Sequence, residues 1–338
     1  MNKLFFPVLG TILLCTTSSI AQDTLWTSNR PDGHAPISVM GDHTHKKGEL
    51  MFSYRYMQMT MDGLISDRSR VSNTSIFENY MASPQNMDMQ MHMIGAMFAP
   101  SEKLTLALMA NVLSNAMDLK TKMGIDFTTT SSGFADVSLA GLYKLFNGNR
   151  QTLHANVGIS IPVGNISQRD ATPMAAQAPL AYNMQLGSGT FDPFMGFTYL
   201  KQWDRFSIGT QSIYRFRLGQ NSKDYALGNR FDFVGWGALK ASEYLSLSTC
   251  VSYSNTAKID GKDARLNPMQ MPLFSTVNSG RSQWDFGVGA NVLFLKESLK
   301  NLRIAAEAKL PIAQDVNGVQ MRNKIVLTFG VQYALAHN

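Results

Sequence analysis

Cysteine is nearly missing: the 338 residues hold Cys15 and Cys250 only. Cys15 falls inside an N-terminal leader, so the mature chain keeps one thiol. That excludes an intramolecular disulfide, although an exported compartment would permit one. Charged residues make up 16% of the chain, and the net charge of +6 is spread without a Lys/Arg block. A nucleic-acid surface is thereby excluded. Beyond the N-terminus no apolar run approaches the roughly 18 residues of a membrane-spanning helix. What is present is 44% apolar residues, enough for a large core, arranged with an unusual regularity.

The leader is MNKLFFPVLGTILLCTTSSIAQ. Lys3 supplies the positive start, Leu4 to Leu14 the apolar stretch, and Ser19-Ile20-Ala21 the small residues before a cut after Ala21. This is the layout of a secretory signal peptide over 1–21. The stretch is too short for a membrane anchor. Lipidation at Cys15 would need a small residue before it, where Leu14 stands.

After residue 48 the apolar period is two. In SQWDFGVGANVLF, Trp284, Phe286, Val288, Ala290 and Val292 share one face, while Gln283, Asp285 and Asn291 share the other. HANVGISI, YLSLSTCVSYS, RFSIGTQSIYRFR, NLRIAAEAKL and KIVLTFGVQYAL repeat the pattern. The alternation predicts about twelve strands, near 48–61, 89–98, 103–117, 134–146, 152–161, 189–201, 205–217, 229–240, 244–256, 281–295, 301–310 and 323–336. Most reach the roughly nine to eleven residues that a tilted strand needs to cross a bilayer. Short links such as APSEK and FNGNR alternate with long polar ones at 62–88, 118–133, 162–182, 218–228, 257–280 and 311–322. A transmembrane barrel has short turns on one side and long loops on the other; a secreted sandwich, the competing fold, has no reason to. Aromatics near strand ends, among them Tyr54, Phe98, Tyr143, Tyr214 and Trp284, suit interfacial girdles. The expected fold is an all-β, antiparallel, up-and-down transmembrane β-barrel of about 12 strands over 48–338, preceded by a short periplasmic segment at 22–47.

Methionine is the compositional oddity. Of 21, fourteen fall between Met40 and Met123. On the first strand Phe52 and Tyr54 suit lipid, so Met57, Met59 and Met61 point inward. On the second, Ile94 and Phe98 suit lipid, so Met89, Met91 and Met93 point inward beside them. Thioethers are adaptable apolar filler, and they are also soft ligands that select Cu(I). Both readings stay open. HAPISVMGDHTHKKGE adds His34, Met40, His43 and His45, donors that copper or zinc accepts.

The stretches HAPISVMGDHTHKKGELMFSYRYMQM, MDMQMHMIGAMFAPSEKLTL, MQLGSGTFD, GNRFDFVGWGAL, RLNPMQMP and AAEAKLPIAQDVNGVQM resemble the MetA-pathway-of-phenol-degradation family of outer-membrane transporters, in its methionine-rich, copper-associated branch. The resemblance runs from about His34 to Leu335. It implies an outer-membrane barrel with passive transport, and it implies metal contact at Met40, His43 and His45 and at the alternating methionines. It carries no catalytic residues. Outer-membrane barrels end on an aromatic residue read during assembly; here Leu335 stands in that place.

Catalysis is not expected. His154, which faces inward, has no serine beside it in a nucleophile motif, and LGSGT lacks the lysine and helix of a phosphate loop. The expected function is a porin-like channel for small solutes in the outer membrane of a Gram-negative bacterium. Its partners are outer-membrane lipid, a small-molecule or metal-ion solute and the barrel-assembly machinery. The alternative is a metal-binding outer-membrane protein without channel activity. No cofactor is required; Cu(I) is the candidate ion. Arg55, His154, Gln211, Arg215, Arg217, Asp285, Arg303 and Glu307 are expected to line the pore. Their arginines suit anionic or aromatic-acid solutes, the methionines a soft metal.

Overall fold

The computed structural model describes residues 25–295 and 299–335; the leader expected at 1–21 lies outside the described residues. The wall consists of β1 (Leu50–Asp67), β2 (Ala82–Phe98), β3 (Leu104–Thr121), β4 (Val137–Gly148), β5 (Gln151–Ile161), β6 (Asp192–Gln202), β7 (Phe206–Arg215), β8 (Arg230–Lys240), β9 (Leu245–Thr256), β10 (Arg281–Leu293) and β11 (Leu302–Leu335). Each pairs antiparallel with the next, and β11 pairs with β1 from Leu50↔Leu335 to Asp67↔Val316, which closes the sheet. β11 doubles back on itself. Its first arm pairs with β10 as far as Val316, and its second with β1. Asn301 and Ala334 hydrogen-bond to each other at the base, as do Gln314 and Asn323 near the tip. Gly318, at φ +62, lies at the reversal. Eleven strands thus form a ring of twelve staves, the number the alternation predicts. No described helix is long and apolar enough to cross a membrane.

Closure gives the wall strands β1 to β11 a partner on both sides, as a bilayer interior demands. The outward rows are large and apolar: Ile94 is 62% exposed, Val157 57% and Val288 53%. Contiguous apolar surface of this kind around a closed barrel suits acyl chains. Inward positions on the same strands are polar and buried, such as Ser53 and Arg55 on β1 and Thr152, His154 and Asn156 on β5. At the turn from β4 to β5, Asn149 and Arg150 both take positive φ (52° and 57°), the conformation whose twist matches a two-residue hairpin.

Two features depart from the sequence expectation. First, 62–88 and 118–133 are not loops throughout. β1, β2 and β3 continue through them, and Asp126–Phe134 takes over the pairing with β3 above Met109. Above the lipid the outer face no longer needs apolar residues, so the alternation fades while the hydrogen-bond ladder continues. The outer loops fold over the mouth around a buried core that includes Ile76, Leu180, Tyr182, Tyr225, Leu266 and Phe274. Second, the segment expected as a periplasmic tail at 22–47 is not below the wall. Its described part, with Trp26, Asp32, Ile37, Val39, Asp42 and His43 all buried, threads through the lower lumen as a plug.

Candidate functional site

A coil inside a barrel must find a partner for each backbone polar group it takes from water. The inward polar rows supply them. Arg303 donates to the carbonyls of Pro31 at 3.1 Å and Arg30 at 2.9 Å. Ser246 donates to Pro31 at 2.8 Å and Ser207 to the Asp32 carbonyl at 2.5 Å. Glu307 accepts from the Ser38 amide at 2.8 Å. Gln211 donates to the Met40 carbonyl at 2.9 Å, and His154 Nε2 to that of Gly41 at 3.0 Å. Ile37 packs over Gly330, where a Cβ would sit 2.6 Å from it, with Arg55 alongside. Of the residues expected to line a passage, His154, Gln211, Arg303 and Glu307 therefore grip the plug, and Arg55 is buried beside Gly330. Alternation marks a side chain as inward but cannot say what fills the lumen.

The plug folds its own donors together. His34, Asp42 and His43 each offer one ligand atom, all within 4.8 Å of one another. The His43 ring lies 4.0 Å from His34 and 4.7 Å from His45, centre to centre. Asp42 faces His43 Nδ1 at 2.9 Å and accepts from the Ala35 amide at 3.0 Å. Burial alone would raise the Asp42 carboxyl; His43 outweighs it and holds the group well below the usual carboxylate range. Burial, with Arg303 and His43 nearby, lowers His34; burial also lowers His45, against the pull of Glu49. Neutral imidazoles keep a lone pair for a metal. His34 Nδ1, His43 Nε2 and His45 Nε2 are buried without a hydrogen-bond partner, while His45 Nδ1 faces Glu49 at 3.2 Å. Two nitrogens and a carboxylate oxygen suit zinc or Cu(II) better than Cu(I). Met40 meets Gln211 through its backbone carbonyl; Asp42 joins His34 and His43, which the sequence had offered, and the His45 ring stands beside them.

The methionine rows face each other in register on β1 and β2: Met57↔Met91, Met59↔Met89 and Met61↔Met87, with Arg55↔Met93 below. All point inward; Asp88, Gln90 and His92 point out. Met61, Met87, Met117, Met184, Met271 and Met321 are buried in the core of the loop lid, with Met59 and Met89 packed against it. The Met87 sulfur accepts from Asn183 Nδ2 at 3.3 Å. The rows thus join the wall to the lid as adaptable packing.

Between plug and lid lies a cavity of about 620 Å³. Met61, Met89, Met91, Leu113, Leu273 and Met321 supply its apolar lining. Arg215, Arg217, Arg230 and Arg281 line it as well, with Asp136 and Thr256. Ala135 and Asp136 interrupt the stave between Asp126–Phe134 and β4. Asp136 there accepts from the Gly164 and Ser188 amides, at 3.0 and 2.8 Å. Arg217 pairs with Asp192. Asp285, expected in the lining, is turned to Gln283 at 2.6 Å. Alternation finds Arg215 and Arg217; Arg230, Thr256 and Arg281 sit at the outer strand ends, where only the register reveals them.

The family described as "Putative MetA-pathway of phenol degradation" matches residues 99–298. Among solved structures the chain is similar to an outer membrane channel from Pseudomonas putida F1, at 14% identity over 87% of this chain and 98% of that one, with a TM-score of 0.59. It is also similar to the transport unit of the autotransporter AIDA-I from Escherichia coli, at 11% identity over 87% and 93%, with a TM-score of 0.51. At such identities the likeness carries the fold. No curated protein matches the sequence.

Proposed function

The chain belongs to the family described as "Putative MetA-pathway of phenol degradation", and from that premise we propose that it is a passive channel for small solutes. Its place is the outer membrane of a Gram-negative bacterium, where the exposed rows of Ile94, Val157 and Val288 meet lipid. The observation that carries the channel reading is the chamber of about 620 Å³ inside the closed wall, a size that takes small molecules. Passage requires the plug to shift, because it occupies the lumen below. Planar-bilayer conductance and arabinose uptake into liposomes test the reading with full-length protein. Openings and uptake above those of protein-free membranes are expected; their absence ends it.

A second reading, metal handling, has its own support in the His34, Asp42 and His43 cluster with its orphaned nitrogens. The residues present fit a borderline divalent ion, and His34 and His43 would hold it beside Asp42. Cu(I) would instead look to Met57, Met59, Met89 and Met91. Titrations of Cu(II) against His43→Ala and of Cu(I) against Met57/Met59/Met89/Met91→Leu separate the two sites. Affinities equal to those of the unaltered chain in both titrations would remove metal from the account.

A further inference from the structure

The ladder registers align residues far apart in sequence. Arg215 on β7 lies opposite Arg230 on β8. Arg230 lies opposite Thr256 on β9, and Thr256 opposite Arg281 on β10. Three guanidinium groups and a hydroxyl therefore form one row across four adjacent staves, and all four line the chamber. Like charges directly opposite on neighbouring strands are unfavourable, with strands only about 4.8 Å apart. Asp232 offsets Arg230 through bonds of 2.8–3.0 Å. Arg215 rests on the Phe194 ring, 4.9 Å from its centroid, and Arg281 donates to the Met321 carbonyl. Neither has a carboxylate partner among the described residues, and Arg281 Nε is buried without a hydrogen bond. Asp136, the carboxylate in the lining, already accepts from the Gly164 and Ser188 amides.

The opposite wall has the complementary character. In a ring of twelve staves, β7 and β8 stand six places from β1 and β2, which present Met61, Met89 and Met91. The chamber is charged on one side and apolar on the other.

We propose that it binds a small amphipathic organic carboxylate, held by the row of Arg215, Thr256 and Arg281 and with its apolar body against the methionines. The site deepens the channel reading, on which its role in transport rests. The carboxylate supplies the counter-charge that the wall withholds, and guanidinium forks match its two oxygens. The methionines accept an apolar body of variable shape.

Equilibrium dialysis of full-length protein in non-ionic detergent tests the site. The probe is 3-phenylpropionate; acetate carries the charge without the body, and 3-phenylpropanol the body without the charge. Saturable binding of 3-phenylpropionate is expected, weakened at least about tenfold by Arg215→Gln or Arg281→Gln and less by Thr256→Val. Acetate and the alcohol each bind at least about tenfold more weakly. Arg215→Gln removes half of a like-charge pair and should fold; retained SDS-resistant migration checks this, and Thr256→Val reports independently. Undiminished binding by both arginine variants overturns the site, as does acetate binding as tightly as 3-phenylpropionate, or no saturable binding at all. Arabinose uptake without 3-phenylpropionate binding sinks this site and leaves the channel; binding without uptake does the reverse.

Discussion

Replacing Arg303 by Met should release the plug. Arg303 is 2% exposed and holds the carbonyls of Pro31 and Arg30 at 3.1 and 2.9 Å. Hydrogen bonds from a charged group contribute about 1.5–3 kcal/mol each, so the pair accounts for about 3–6 kcal/mol. Met keeps the aliphatic volume and relieves the desolvation of a buried charge, which returns part of that sum. The net weakening is then about 2–4 kcal/mol. At about 1.4 kcal/mol per decade, the population with the plug displaced rises by about 30- to 700-fold. The wall is untouched, because the β10–β11 ladder runs through backbone groups. Two assays on full-length protein read the change: open fraction in planar bilayers, and protease cleavage within 25–49 in liposomes. Lys240→Met, at an exposed pair with Glu243, is the control, with an effect of about 0–1 kcal/mol. If Arg303→Met conducts and resists protease as the unaltered chain does, the hydrogen bonds at the plug do not hold it shut.

Other consequences are as direct. Val288→Arg puts a charge at mid-depth on the lipid face and should lower stability by about 2–4 kcal/mol in denaturant titrations in lipid vesicles; a neutral result would mean that this face does not meet acyl chains. Gly158 seats Phe194: an added Cβ would lie 2.3 Å from the ring and 2.4 Å from the Leu139 carbonyl. Gly158→Ala should therefore cost about 1–3 kcal/mol in the same titrations and weaken 3-phenylpropionate binding by displacing the ring under Arg215; unchanged values for both would refute that packing. Burial pushes the Tyr225 phenol, in the loop lid, up to about 12. Its folded value lies above the unfolded one near 10, so its contribution is complete below pH 10 and is lost as pH rises towards 12. Protease cleavage of the lid should increase over that window, and Tyr225→Phe should remove the increase.

The wall was legible because a barrel strand between lipid and lumen has to alternate. Phe52 and Ile94 marked the outside, and their neighbours Met57, Met59, Met89 and Met91 followed inward by parity alone. The plug was not legible, because a coil held through its carbonyls needs no particular side chains at Pro31, Arg30 or Gly41. The groups that identify it, Arg303, Ser246, Ser207 and His154, lie on other strands, and each reads in isolation as an ordinary lumen residue. Asp42, and its meeting with His34 and His43, was hidden for the same reason: irregular backbone has no period from which to infer a meeting.

The chamber shows where parity stops and register begins. Parity assigns Arg215 to the lumen and says nothing of its height. Height follows from the pairing of β7 with β8, β8 with β9 and β9 with β10, three ladders whose offsets are set by the turn at 241–244 and by the loops at 216–229 and 257–280. A shift of two residues in one of those ladders would keep every apolar side chain facing lipid, at little cost to the wall, yet would break the row of Arg215, Arg230, Thr256 and Arg281. Lipid enforces the period of two but tolerates such a slip. The observed alignment also sets two arginines opposite each other, an arrangement that wall stability alone disfavours. The alignment that the lipid does not require is the one that the proposed carboxylate would need.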